Sequence, residues 1–148
     1  MNYWLLKSEP DTFSIDDLAT APKQTTSWDG VRNYQARNML RDSIKKGDLA
    51  FFYHSTCAIP GIAGIARISK EGYPDKTQDK PRADQPVSSL WFAVDVTLVV
   101  KFKRLITLDE LRKHQTGALK DLVVLRKGNR LSVTPVTPKN WDFILTLE

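Results

Sequence analysis

Leu49-Ala-Phe-Phe-Tyr53 and Ile62-Ala-Gly-Ile-Ala-Arg-Ile-Ser69, on either side of a turn around Pro60-Gly61, read as two successive strands. Working outward, Tyr3 to Leu6 makes a first strand and Ser132 to Val136 a final one. Phe92, Val94, Val96 and Leu98 alternate with other residues in a long strand reaching about Phe102, with Asp95 and Thr97 on the opposite row. Short capped helices fall between them. Ser14 and Asp17 have the spacing of a capping box, with Phe13 and Leu18 as a hydrophobic staple. Thr107-Leu-Asp-Glu110 repeats the pattern with Ile106 and Leu111, opening a helix to about His114. Thr137 caps a last helix with Pro138 at its first position and an apolar stripe of Trp141, Ile144 and Leu145. Residues 70 to 86 hold Pro74, Pro81, Pro86 and eight charges that sum to zero, which predicts a long loop able to act as a lid. Strands interrupted by short helices, without regular alternation, argue against a doubly wound sheet. They predict an α+β fold, a mixed and mostly antiparallel sheet or barrel with short helices at its ends.

With 148 residues the chain is long enough for one domain with a proper core and too short for two comfortable ones, so a single domain spanning 1–148 is expected. The formal net charge is +5, and residues 31 to 46 carry five Lys or Arg against one Asp, so most of the excess is local. Such a patch attracts phosphate, or alternatively an acidic protein surface. Cys57 stands alone, which leaves no internal disulfide and fits a reducing compartment. The apolar run at the N-terminus is too short for a signal segment, and no stretch approaches the roughly twenty apolar residues of a membrane span. A cytoplasmic protein without a membrane partner, acting as a monomer, is the expectation.

The stretch Trp28-Asp-Gly-Val-Arg-Asn-Tyr-Gln-Ala-Arg-Asn-Met-Leu-Arg41 sets an aromatic, a glycine and an amide ahead of a short basic helix. From Asn33 to about Lys46, Ala36, Met39 and Leu40 fall on one face, while Arg37, Arg41 and Lys45 recur every fourth residue on a neighbouring face. Gly47 then stops the helix and Asp48 turns the chain into the Leu49 strand. A solvated amphipathic helix is the commoner explanation of such charges, but Trp28 beside Gly30 tells against it here, since a large aromatic in a turn is a costly group to leave wet.

Tyr3-Trp-Leu-Leu-Lys-Ser-Glu-Pro10, Trp28 to Asn38, Phe52-Tyr-His-Ser55, Gly61-Ile-Ala-Gly64 and Arg130-Leu-Ser-Val-Thr-Pro135 together resemble the EVE domain family, over nearly the whole chain and in the right order. The stretch from 70 to 90 carries least of the likeness. The resemblance implies a pseudobarrel of the PUA-like class, related to the YTH domains that read methylated adenosine in RNA. It also implies recognition of modified bases, with C5-modified cytosine in DNA as the ligand.

An extruded base loses its stacking partners, and an aromatic face replaces them for about 1–3 kcal/mol per base. Trp28 is the first choice for that face, with Tyr53 and Trp91 as second choices near strand ends; Trp4 and Trp141 belong to the core. For the base edge, Asn33 offers an amide, and Ser8 and Ser55 hydroxyls, although Asn33 also suits a helix cap and Ser8 a turn near Pro10. Lys7, Arg32, Arg37, Arg41 and Arg130 are the candidate phosphate contacts, with Lys127 as a weaker one.

Catalytic readings are poorer. His54 and Cys57, three apart on an extended segment, point to opposite faces. One Cys and two His make a poor metal set, there is no glycine-rich phosphate loop, and Asp16 and Asp17 are explained by capping. No cofactor or metal is expected. The sequence therefore predicts a non-catalytic module binding nucleic acid, modified DNA or alternatively RNA. A small-molecule enzyme or sensor for a nucleoside is the rival of another class.

Overall fold

The computed structural model describes residues 1–79, 83–86 and 90–148. Six strands form one mixed sheet: β1 (Tyr3–Ser8), β2 (Thr25–Trp28), β3 (Leu49–His54), β4 (Gly61–Pro74), β5 (Phe92–Thr107) and β6 (Val133–Val136), in the order β2-β5-β4-β3-β1-β6. Every neighbouring pair is antiparallel except β1 with β3, which run parallel from Tyr3 beside Leu49 to Ser8 beside His54. A parallel pair needs a long crossover, and here it carries α1 (Ile15–Thr20), β2 and α2 (Tyr34–Asn38). Two further α-helices among the described residues are α3 (Leu108–Arg112) and α4 (Pro138–Leu145).

The unbroken apolar run of β3 follows from burial on both faces. Ala50 and Phe52 enter one core with Trp4, Leu6, Ile15, Leu18, Leu40 and Val94, while Phe51 and Tyr53 enter another with Leu5, Ile106, Leu111, Trp141 and Ile144. α1 and α2 thus cover one face and α3 and α4 the other. The β4–β5 ladder slips register at four places, and such bulges bend and twist strands. The curl has a visible consequence: residues of β2, at one edge of the sheet, line the same cleft as the end of β1 and the approach to β6 at the other edge. Gly64 permits a tight contact inside that curl, since a Cβ there would lie 2.3 Å from both Ile15 Cδ1 and the Val100 carbonyl.

The caps form where the spacing places them. Ser14 and Asp17 make a reciprocal capping box, and Thr107 and Thr137 accept from Glu110 N and Asn140 N. Glu110 does not return the bond; its carboxylate pairs instead with Arg104. Leu145, expected on the apolar stripe of the last helix, is 40% exposed.

Two expectations change more substantially. The basic helix ends early: α2 gives way to a π-helical turn over Met39–Ser43, and Ile44 is already extended. Tertiary packing explains this, because Ile44 is wholly buried and the Asp48 carboxylate draws in Lys45 N, Asn2 N and the Trp4 indole N–H. Gly47 does adopt a left-handed backbone, at φ +94°, but beyond the helix. The second change is at 70–86, where β4 continues through Tyr73 and Pro74 to pair with Ala93 and Phe92. Local composition could not reveal a strand whose partner lies some twenty residues away. Residues 80–82 of the expected loop, and 87–89 beyond it, lie outside the described residues.

Candidate nucleic-acid interface

A cleft of about 490 Å³ opens between the two edges of the curled sheet. Lys7 and Ser8 of β1, Thr12 and Phe13 after it, Thr26 to Trp28 of β2, the Asp29–Arg32 turn and Ser132 line it. The volume falls in the range of small-molecule sites, about 300–1,000 Å³. Trp28 ends β2 opposite Val94, is 8% exposed, and meets the Phe52 ring edge-on with centroids 5.3 Å apart. The indole is therefore both core and wall. Ser8 lines the cleft while its hydroxyl donates to the Phe13 carbonyl at 2.6 Å. Lys7 lies across from the β2 side, and burial holds its ammonium below the ordinary pKa.

The turn after Trp28 is fixed by a residue that local sequence patterns do not single out. Asp75, just past β4, is buried, and its carboxylate accepts from Gly30 N (2.8 Å), Arg32 Nη1 (3.0 Å), Thr77 N (2.7 Å) and Thr77 Oγ1 (2.5 Å). Burial by itself would raise the Asp75 carboxyl, but the bonds from Thr77, Gly30 and Arg32 outweigh it and hold the pKa below the ordinary value. Gly30 takes φ +76°, a conformation costly for a residue with a Cβ, and that brings its N–H to the carboxylate. Asp29, also lining the cleft, is shifted the other way: burial chiefly, then the nearby Asp75 charge, raises its pKa. Neither aspartate has a local signature; the pattern of 70–86 reads as charged loop, and Asp29 reads as part of a turn. Ser27 of the cleft shares a hydrogen bond with Tyr73, whose hydroxyl donates to Asp95. Burial and that bond push Tyr73 up to about 12.

The other candidates are dispersed. Asn33 caps α2, its Oδ1 accepting from Ala36 N. Tyr53 faces the second core, where burial pushes its hydroxyl up to about 12, and Ser55 follows β3 away from the cleft lining. Trp91 stacks on the exposed Tyr34 ring at 4.9 Å, with the Arg32 and Arg37 guanidinium groups 5.4 and 5.8 Å from its centroid. This aromatic and cationic cluster adjoins the cleft through Arg32 rather than forming its wall. Arg37, expected on a solvated face, is buried, donating to Asn38 Oδ1 and the Leu90 carbonyl. Arg41 makes a two-pronged pair with Asp42, and Arg32 is held by Asp75. Arg130 is exposed, two residues before Ser132 of the cleft. His54 Nε2 accepts from Ile15 N at 3.1 Å, a capping role for α1. Among the described residues no helix is long and apolar enough to cross a membrane.

Comparison with known proteins places this cleft in context. The EVE domain family matches residues 2–147. Thymocyte nuclear protein 1 of Homo sapiens is 48% identical over 168 aligned positions, which cover 99% of this chain and 74% of that protein. The crystal structure of the human THYN1 protein in complex with 5-methylcytosine-containing DNA superposes with a TM-score of 0.87 at 44% identity, covering 99% of this chain and 97% of that one. A Pseudomonas syringae protein gives 0.86 at 47% identity, covering 98% of each chain. The YTH domain of a Zygosaccharomyces rouxii protein in complex with N6-methyladenosine RNA gives 0.52 at 15% identity, covering 99% of this chain and 85% of that one, a likeness of fold alone. The sheet is accordingly of the PUA-like α+β kind, and this chain belongs to the EVE domain family.

Proposed function

We propose that residues 1–148 act as a single, non-catalytic module that takes a modified base of a nucleic acid into the Trp28 cleft, C5-modified cytosine in DNA being the first ligand. The observation that carries this reading is the cleft itself, in which one indole stands among a carboxylate, an ammonium and several hydroxyls. It is supported by the likeness to a THYN1 structure containing 5-methylcytosine DNA. The indole replaces stacking lost on extrusion, worth about 1–3 kcal/mol. The Asp29 carboxylate accepts from an exocyclic amino group such as cytosine N4, and Lys7 donates to the ring acceptors beside it. A base with a carbonyl in place of that amino group would set lone pairs against the carboxylate. Thymine, which shares the C5-methyl, is thereby disfavoured.

The test is binding to matched DNA and RNA oligonucleotides, unmodified, carrying C5-modified cytosine or carrying methylated adenine, at two salt concentrations. Tighter binding to C5-modified cytosine in DNA supports the reading. A preference for an RNA member redirects it to a ribose-reading relative, whose 2′-hydroxyl contacts make the distinction. Salt-insensitive binding of the free nucleoside alone would overturn it in favour of a small-molecule site.

A further inference from the structure

We infer that a second groove, between α2 and the loop over residues 126–131, is the track for the phosphodiester backbone of the strand whose base enters the Trp28 cleft. The inference rests on the proposed base reading but stands on a different surface. The arginines expected to meet phosphate in and just before the basic helix are largely engaged within the protein: Arg37 is enclosed, Arg41 is paired with Asp42, and Arg32 with Asp75. Arg126, Lys127 and Arg130 differ. They place three positive charges in five residues without an acid, all three are exposed, and none is in a salt bridge among the described residues.

The loop is shaped rather than slack. Asn129 N donates to the Arg126 carbonyl, and Gly128 takes φ +76° to close the turn. Opposite it, Gln35 and Met39 complete a groove of about 340 Å³. Asn129, also lining the groove, spends its Oδ1 on Leu131 N, while its Nδ2 is buried without an acceptor. Continuity with the cleft names the occupant. Ser132 lines the cleft, its carbonyl accepts from Lys7 N, and it lies at most about 7 Å of chain beyond Arg130. A nucleotide seated at Trp28 therefore has its flanking phosphates within reach of this loop.

The test compares the triple substitution Arg126→Ala, Lys127→Ala, Arg130→Ala with a control of equal charge change at exposed lysines outside the linings of both the cleft and the groove, Lys103→Ala, Lys120→Ala, Lys139→Ala. Affinity for modified and unmodified oligonucleotides is measured across a salt series. The groove variant should flatten the log-log salt slope by about 2–3, since each phosphate contact contributes roughly 0.7–0.9. The ratio of modified to unmodified affinity should stay at the wild-type value, and the control should leave the slope near wild type. An unchanged slope, an equal effect of the control, or a collapse of the ratio without a change of slope overturns the inference. A wild-type ratio of one would instead sink the base reading of the cleft, while the slope still reports on the groove.

Discussion

Asp75→Ala is the most informative single change, because one buried carboxylate holds the turn that forms one wall of the cleft. It removes the acceptor for Gly30 N, the Arg32 guanidinium, and both Thr77 groups. Hydrogen bonds to a charged group contribute about 1.5–3 kcal/mol each, but Thr77 and Gly30 are exposed enough for water to replace the lost acceptor. The Arg32 side chain is 38% exposed, which screens the ion pair and takes its loss well below the 3–5 kcal/mol of a fully buried pair. The sum is about 2–4 kcal/mol, within the 5–15 kcal/mol that usually holds a domain, so the variant folds with Tm lowered by roughly 5–15 °C. Denaturant titration gives the free energy directly. Oligonucleotide binding under native conditions should show a larger proportional effect on modified-base selectivity than on salt slope, because the Asp29–Arg32 turn is released while the 126–130 loop is untouched. Because the folded carboxyl titrates below its ordinary value, the unfolded chain takes up that proton first on acidification. The contribution is whole above about pH 4 and is lost as pH falls further, so the gap between wild type and Asp75→Ala should narrow in acid. A stability loss under about 0.5 kcal/mol with unaltered selectivity would refute the anchoring role.

Trp28→Ala should cost about 3–5 kcal/mol of stability as well as the base wall, given its contact with Phe52; Trp28→Phe, measured by the same titration, should keep the fold and weaken modified-base binding selectively. Asp29→Ala should leave thermal stability within about 0.5 kcal/mol, since the residue is largely exposed and only partly shielded by the cleft, yet erase discrimination between cytosine and thymine analogues in competition binding. His54 accepts the Ile15 N–H through Nε2, and burial chiefly lowers its pKa; the contribution is present above about pH 6.5 and lost as pH falls below it. His54→Gln, which keeps an acceptor, should flatten that limb of the stability profile. Arg37→Ala should lower stability by about 2 kcal/mol, through lost packing and an unmet Leu90 carbonyl, with almost no change in salt slope.

What was legible in the chain was local. Ser14, Thr107 and Thr137 announce their helices because a cap is decided within three or four residues, and the doubly buried β3 announces itself by an unbroken apolar run. Trp28, Ser8, Lys7 and Arg32 do line one cleft. What was not legible depends on partners distant in sequence. The 3.6-residue period drew a helix to Lys46, but the demand to bury Ile44 and to satisfy Asp48 ended it at Ser43. The same period put Arg37 on a wet face, whereas Leu90 and Trp91, more than fifty residues on, enclose it. Asp75 looked like one charge among eight in a loop; its meaning lies in Gly30 and Arg32, over forty residues earlier.

These tertiary engagements divide the labour of recognition. A cation already held by a carboxylate gains little from a phosphate, because the incoming anion has to compete with a partner in place. Arg32 and Arg41 are therefore better suited to positioning than to salt-dependent affinity. Arg126, Lys127 and Arg130 carry no such debt among the described residues, and a phosphate meeting them displaces only counterions and water. On the proposed reading of the cleft and groove, selectivity should reside in the turn held by Asp75 and affinity in the uncommitted 126–130 loop. Substitutions in the first region should change which oligonucleotide is preferred, and substitutions in the second should change how strongly every oligonucleotide binds.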